Sequence, residues 1–271
     1  MPGPIFPERP VLVAPASFKG IFRATQVAGA IGRGLERAGL LPPDLCPVAD
    51  GGEGTTDVLL PVLGGEIVAA PSHDRLGREV IRSFALLEDG TTALVEASSA
   101  VTSSYGTGQL ISAAADAGAA VILLAPDESD SGAGALRAIA ERGGLGDVKL
   151  VVLCHQGVRG DLWAAEGAAL ESGSSWILDA LAFDERMRAA RAVVTGELSL
   201  GFETLEGRVV GEIGQRTRQA GVPLHAVVGR AKLDLFGRRM IDLQRVFEAT
   251  TLGEVEAASE QLGAELADGR A

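Results

Sequence analysis

The chain has 271 residues, is 46% hydrophobic, and carries a formal net charge of -12 with an isoelectric point near 4.8. That length supports a large buried core, in one big domain or two smaller ones. The acidity excludes a sequence-independent grip on nucleic acid and disfavours an anionic membrane surface, because both depend on Lys and Arg. Cys46 and Cys154 lack any Cys-x-x-Cys or Cys/His spacing, so neither a disulfide scaffold nor a zinc site is expected. The start, Met-Pro-Gly-Pro-Ile, has no basic region followed by an apolar stretch, and no window approaches the roughly 20 apolar residues of a membrane span. A soluble cytoplasmic protein is the expectation.

In chain order, Pro10 to Pro15 suits a strand buried on both faces, Thr25 to Ala38 has helical spacing, Leu45 to Ala49 is a second short strand and Thr55 to Leu63 its helix. This β-α-β-α order predicts a parallel sheet with ligands at the strand C-termini. The pattern changes after Gly64-Gly65. Glu66 to Ala70, Glu79 to Leu87 and Thr91 to Glu96 are rich in strand formers, and Glu88-Asp89-Gly90 signals a hairpin. Alternation then returns, with helices at Gln109 to Ala117 and Gly134 to Arg142 and strands at Ala119 to Ala125 and Val148 to Cys154. Trp163 to Ala190 reads as mainly helix with a break at Ser172 to Ser175. Ala192 to Glu197 resembles the first strand-to-loop junctions, and Val209 to Ala220, Pro223 to Val228, Val246 to Ala249 and Leu252 to Leu266 read as helix, strand, strand and helix. The expected fold class is α/β in two domains: a discontinuous Rossmann-like parallel-sheet domain from residues 1–65 and 190–271, and a mixed α/β domain inserted at 66–189.

Four loops carry candidate chemistry. Pro47 to Asp57 places Asp50 and Glu53 among Gly51, Gly52 and Gly54; these carboxylates suit a divalent cation or a substrate hydroxyl, and the first-turn amides of the next helix suit an anion. The same string also reads as a tight turn with an acidic cap. Ser17-Phe18-Lys19-Gly20, just past the first strand, offers an ammonium to a phosphate or carboxylate. Ser103 to Gly108 offers hydroxyls and glycines just before a helix, or a simple Ser/Thr cap with Tyr105 packed inside. Asp127 to Gly134 follows a strand but is acidic, which repels phosphate unless a metal intervenes. Walker and Gly-x-Gly-x-x-Gly strings are absent after the first strand. His73, His155 and His225 read as surface or satisfied polar groups, and Trp163 and Trp176 as core or interface.

Together, Ala14-Pro15-x-Ser17-Phe18-Lys19-Gly20, Pro47-Val48-Ala49-Asp50-Gly51-Gly52-Glu53-Gly54-Thr55 and Tyr105-Gly106-Thr107-Gly108, in that order, resemble the bacterial glycerate kinase family. Leu76-Gly77 with Val80, and Val95-Glu96-Ala97-Ser98, also match its pattern. The resemblance is close over residues 11–117 and traceable over 192–250. It implies a transferase moving the γ-phosphoryl group of ATP, with magnesium, to a hydroxyl of glycerate or a similar small hydroxy acid. Its partners would be that acid and the nucleotide; a homodimer is one expected assembly, and the acidity leaves no expectation of nucleic acid or membrane. Carried over by position, Lys19, Asp50 and Glu53 are catalytic, with Asp50 and Glu53 also the magnesium ligands. Ser17, Gly51, Gly52, Tyr105, Gly106, Thr107, Gly108, Asp130, Glu197 and Arg208 would bind substrates.

The chain departs from the family pattern at four places. Ala16 replaces the usual acid after Ala-Pro. The family's glycine-rich anion loop falls on Leu124 to Gly132, where only Asp130 and Gly132 match. The family's Cys-Asp pair falls on Cys154-His155. Its Gly-Glu-Gly-Arg-Ile-Asp string reads Gly196-Glu197-Leu198-Ser199-Leu200-Gly201, without arginine or aspartate, although Thr204, Gly207 and Arg208 follow. Losing a charge-stabilising arginine costs orders of magnitude in phosphoryl transfer. The alternative expectation is therefore a catalytically impaired paralogue that binds a small acid or regulates.

Overall fold

The structure is a computed structural model that describes residues 9–74, 76–97, 103–126, 130–155 and 160–268. Ser98 and the stretch from Asp127 to Ser129 lie outside the described residues. The chain forms two compact units, one from residues 1–48 and 181–271, the other from residues 49–180.

In chain order the elements are β1 (Val11–Pro15), α1 (Ala24–Arg37), β2 (Asp44–Leu45), α2 (Thr55–Leu63), β3 (Gly65–His73), β4 (Glu79–Leu87), β5 (Thr92–Glu96), α3 (Tyr105–Asp116) and β6 (Val121–Ala125). There follow α4 (Ala133–Arg142), β7 (Lys149–Cys154), α5 (Asp161–Ala165), β8 (Ala169–Ser172), α6 (Gly173–Ala180), α7 (Phe183–Ala189), β9 (Ala192–Gly196) and β10 (Ser199–Leu200). A short 3-10 helix (Phe202–Glu206) leads to α8 (Val209–Ala220), β11 (Leu224–Val228), β12 (Arg230–Ala231), α9 (Leu235–Met240), β13 (Leu243–Glu248) and α10 (Leu252–Ala267).

The first unit is built on a five-stranded parallel sheet in the order β13-β11-β9-β1-β2. β1, β9 and β11 are buried along their whole length, as Val/Leu/Ala runs without polar alternation require. Their core is closed by α1 and α10, with Val27, Ile31, Leu35, Val255 and Leu262 packed on Val11, Val13, Val194 and Val227. Gly34 permits this approach, since a Cβ there would stand 2.2 Å from the Glu256 carbonyl oxygen.

The second unit carries a six-stranded sheet in the order β3-β4-β5-β6-β7-β8, antiparallel from β3 to β5 and parallel from β5 to β8. The hairpin signal holds for a specific reason: Asp89 Oδ1 accepts from the amides of Thr91 and Thr92, and Gly90 takes φ 68°. α3 and α4 cover one face over Leu110, Ile111, Ala135 and Ile139.

Several expectations are corrected. The second strand is paired only over Asp44–Leu45, although the Cys46 and Val48 amides continue to donate to Val13 and Pro15. α3 starts at Tyr105 rather than Gln109, because glycines at 106 and 108 do not break a first turn that is held by tertiary contacts. The region read as helix from Trp163 contains strand β8, an edge strand whose four residues are too few to show a period. α9, β10 and β12 are too short to register in the pattern.

Candidate functional site

In the first unit β1 connects to β2 on one side, while β9 continues through β11 to β13 on the other. Chain connections leave β1 and β9 in opposite directions, and in open parallel sheets a crevice for ligands opens at the strand C-termini at such a point. Pro15 and Gly196 are register partners at those ends, and the Ala16 amide donates to the Gly196 carbonyl at 2.8 Å.

The loop after β1 carries Ser17 and Lys19. Phe18 is fully buried in the core and exchanges backbone hydrogen bonds with Phe22 at 2.9 and 3.0 Å, which closes a tight turn around Gly20 at φ 75°. The aromatic residue is the anchor, and Lys19 stands at the exposed tip.

The loop after β9 carries Glu197, which is buried. The Thr204 hydroxyl donates to Glu197 Oε1, and Arg208 Nη1 lies 3.7 Å from Oε2. The Gly201 amide donates to Thr204 Oγ1 at 3.1 Å. With serine at 199, a guanidinium facing Glu197 comes from Arg208 at the N-cap of α8.

In the second unit the acidic loop is rigidly held. Asp50 is buried with its Oδ1 accepting from the Gly52 amide at 3.2 Å, and Thr55 Oγ1 donates to the Gly52 carbonyl at 2.7 Å. A Cβ on Gly51 would lie 2.7 Å from the Leu153 carbonyl oxygen, and Gly51 has φ 98°, so both packing and dihedral call for glycine. Glu53 is exposed.

The anion site expected at the start of α2 is already filled. Glu96 Oε1 accepts from the Gly54 amide at 2.9 Å and Oε2 from the Thr56 amide at 2.8 Å. The carboxylate stands where a phosphate would otherwise sit, and it joins the end of β5 to the acidic loop. Glu96 was missed as a site residue; an acid closing a buried strand, Ala-Leu-Val-Glu, was its signal. His155 is a second such residue. Its Nε2 is 3.1 Å from the Pro126 carbonyl oxygen, which can only accept, so Nε2 carries the proton. Its ring lies against Gly52, where a Cβ would be 3.0 Å from Nε2.

Tyr105, Gly106, Thr107 and Gly108 form the first turn of α3 rather than a loop before it. Added Cβ atoms on Gly106 and Gly108 would meet the carbonyl oxygens of His73 and Ala135 at 2.2 and 2.3 Å, so these glycines serve the approach of α3 to β3 and α4. Tyr105 is not packed inside: its hydroxyl donates to Glu141 at 2.6 Å and the Arg137 guanidinium lies 4.7 Å from its ring centre. That hydrogen bond to a carboxylate raises its pKa.

Asp130 is likewise engaged. It accepts from the Ser104 hydroxyl, from the Ser104 amide at 3.1 Å, and from the Gly132 and Gly134 amides at 3.2 and 3.0 Å. Burial pushes its pKa up, but these donors outweigh burial and hold it below the ordinary carboxylate value. His225, expected to be a surface or satisfied group, is fully buried in β11, and neither ring nitrogen has a partner. Burial, then the nearby Arg245 charge, lower its pKa to about 4, against a smaller opposing effect of Glu265.

The structure therefore sets Ser17 and Lys19 after β1, and Glu197 with Arg208 after the neighbouring strand β9, in the first unit. It gathers Asp50, Gly51, Gly52 and Glu53 with Glu96 and His155 in the second, and it places Tyr105 to Gly108 with Asp130 in a helix-packing joint. The charge is divided as sharply. Residues 49–180 hold 19 Asp and Glu against 7 Lys and Arg, while the rest of the chain holds 17 of each.

A two-unit α/β protein with a discontinuous parallel-sheet unit is the class these features define. A solved structure described as a glycerate kinase 2 from Salmonella typhimurium LT2 shares the fold, with a TM-score of 0.75 at 21% identity over 97% of this chain and 99% of that one. The model of the glycerate kinase family matches residues 11–143 and 157–268. The chain belongs to the glycerate kinase family. It is similar to glycerate kinase of Bacillus subtilis (strain 168), 35% identical over 152 residues, and to glycerate 2-kinase of Escherichia coli (strain K12), 33% identical over 153 residues. Each match takes in 49% of this chain and spans 39% of the relative's length.

Proposed function

We propose that the chain is a cytoplasmic kinase that transfers the γ-phosphoryl group of ATP to a hydroxyl of glycerate or a closely similar hydroxy acid. The observation that carries this is the acidic loop: in a chain of this family, Asp50 is buried and accepts from the Gly52 amide, in a loop that Thr55 holds at Gly52 and Glu96 holds at Gly54 and Thr56. In the transfer the acceptor oxygen bonds to the γ-phosphorus, the bond from that phosphorus to the bridging oxygen of ADP breaks, and the hydroxyl proton passes to a carboxylate, for which Asp50 is the candidate. Lys19, beside Ser17, would hold the substrate carboxylate or a phosphate as an exposed point charge, and Glu197 would orient Arg208.

Among the described residues no group of three His, Cys, Asp or Glu could hold a metal ion. Glu53, exposed in the same loop, instead suits magnesium that arrives with nucleotide phosphates, because that ion keeps waters and uses one or two protein carboxylates, and Asp50 would be its second ligand only where it does not take the proton. When bound, the ion would neutralise charge on the transferring group. No helix among the described residues is long and apolar enough to cross a membrane.

The test is ADP release from protein, ATP, magnesium and D-glycerate. Turnover that collapses in Lys19→Ala and Asp50→Asn supports the proposal; no ADP above background sinks it. Glycerate-dependent thermal stabilisation without turnover would favour the impaired binding paralogue.

A further inference from the structure

The acidic loop of the second unit lies across the C-terminal ends of β5, β7 and β8. Glu96, the last residue of β5, holds the Gly54 and Thr56 amides. The Leu153 carbonyl oxygen near the end of β7 and the Gly173 Cα just after β8 stand 2.7 and 2.9 Å from where a Cβ of Gly51 would lie. His155, the first residue beyond β7, meets the loop at Gly52. Of these contacts, that of the imidazole is shared with the Asp50 carboxylate. A Cβ on Gly52 would stand 3.0 Å from His155 Nε2, 3.2 Å from its Cδ2 and 3.3 Å from Asp50 Oδ1.

The ring is fixed from two neighbouring strand ends. β6 and β7 pair in parallel, and His155 Nε2 donates at 3.1 Å to the carbonyl oxygen of Pro126, the buried residue that follows β6. The Asp50 carboxylate is held less firmly by its own turn. The bond from the Gly52 amide to Asp50 Oδ1 is 3.2 Å long, at the far end of the usual range for N–H···O. A fixed ring packed on the bare side of Gly52 keeps that amide, and with it the carboxylate, from turning away. Glycine at 52 is what lets the ring come so close.

We propose that His155 is a positioning residue that holds the Asp50–Gly52 turn in the geometry in which Asp50 receives the proton of the acceptor hydroxyl. The role in transfer rests on the kinase reading given above. The imidazole itself takes no proton in the step: its Nε2 proton is committed to Pro126, and the ring acts as a wall. Such a role falls on kcat, because a displaced base slows transfer while the groups that bind the substrates stay where they were.

Two substitutions in the full chain test this. His155→Leu removes ring and donor, whereas His155→Gln keeps an N–H at the reach of Nε2. The leucine variant should lower kcat about 30- to 100-fold, with KM for D-glycerate and ATP within about threefold of wild type, and glutamine should recover most of that loss. A loss confined to KM, or a glutamine variant no better than leucine, overturns the proposal. Amide hydrogen exchange gives a readout that needs no turnover. The Gly52 amide should exchange about tenfold faster in His155→Leu than in wild type or His155→Gln, while the Thr56 amide, held by Glu96, is unchanged. In Asp50→Ala the Gly52 amide should already exchange fast, and adding His155→Leu should accelerate it no further. Equal Gly52 exchange in wild type and His155→Leu, or further acceleration in the double variant, overturns the proposal. Thermal melting checks that each variant is folded. A wild type without ADP release whose Gly52 exchange still depends on His155 would sink the kinase reading and support the hold of His155 on Asp50.

Discussion

The helix starts that follow the candidate loops differ between the two units. In the second, the amides at the start of α2 are given to Glu96 and those at the start of α4 to Asp130. In the first, α1 and α8 begin behind Arg23 and Arg208 rather than a carboxylate, with the Arg23 amide donating to Gln26 Oε1 at 3.0 Å, whereas α9 and α10 are capped by Asp234 and by Thr251 with Glu254. Because the second unit also holds the entire net negative charge, the difference teaches a division of labour. Anions are repelled from a unit whose α2 and α4 starts already hold carboxylates, and they are favoured where arginine and lysine stand at strand ends. The acidic unit suits cations and hydroxyl groups; the neutral one suits phosphate and carboxylate.

The comparison breaks first at Lys19. Lys19→Ala should lower kcat/KM for phosphoryl transfer about 100- to 1,000-fold without changing the melting temperature, because the side chain is exposed at a turn tip. Steady-state ADP release beside a melting curve checks it, and a loss no larger than that of Arg230→Ala would remove the first unit's claim to the anion.

Next comes His225, a burden on the first unit alone. Its folded pKa of about 4 lies below the unfolded value near 6.5, so the unfolded chain binds the proton first and stability is lost as pH falls. Between pH 7 and pH 4 the loss should be about 3 kcal/mol, measured from urea midpoints, and His225→Leu should flatten that limb.

In the second unit Gly108→Ala should cost about 2 kcal/mol, seen as a lower urea midpoint, because its Cβ would press on the Ala135 carbonyl oxygen. The smallest effect sharpens the comparison most. Glu96→Ala should cost about 1 to 2 kcal/mol and open the start of α2 to anions. Inorganic phosphate should then raise the variant's melting temperature more than the wild type's. An unchanged phosphate response would show that the Glu96 carboxylate is not what keeps anions from that helix.

The sequence by itself determined the α/β class, β1, β4, α8 and most of α10, and the family, because buried parallel strands write continuous Val/Leu/Ala runs and amphipathic helices write a 3.6-residue period. It also singled out Lys19 and the Asp50 to Glu53 loop as candidates, where glycines and charges crowd a strand end. Only tertiary structure decided what those charges face. Glu96 reaches Gly54 and Thr56 from 42 and 40 residues away, and Arg208 stands opposite Glu197 only because the 3-10 helix turns the chain back. Gly106 and Gly108 looked like an anion loop in one dimension, yet they are the contact points of α3 with β3 and α4. A hydrogen bond or a close backbone approach between distant residues leaves no period in the chain, so its partners become visible only once the sheets have brought them together.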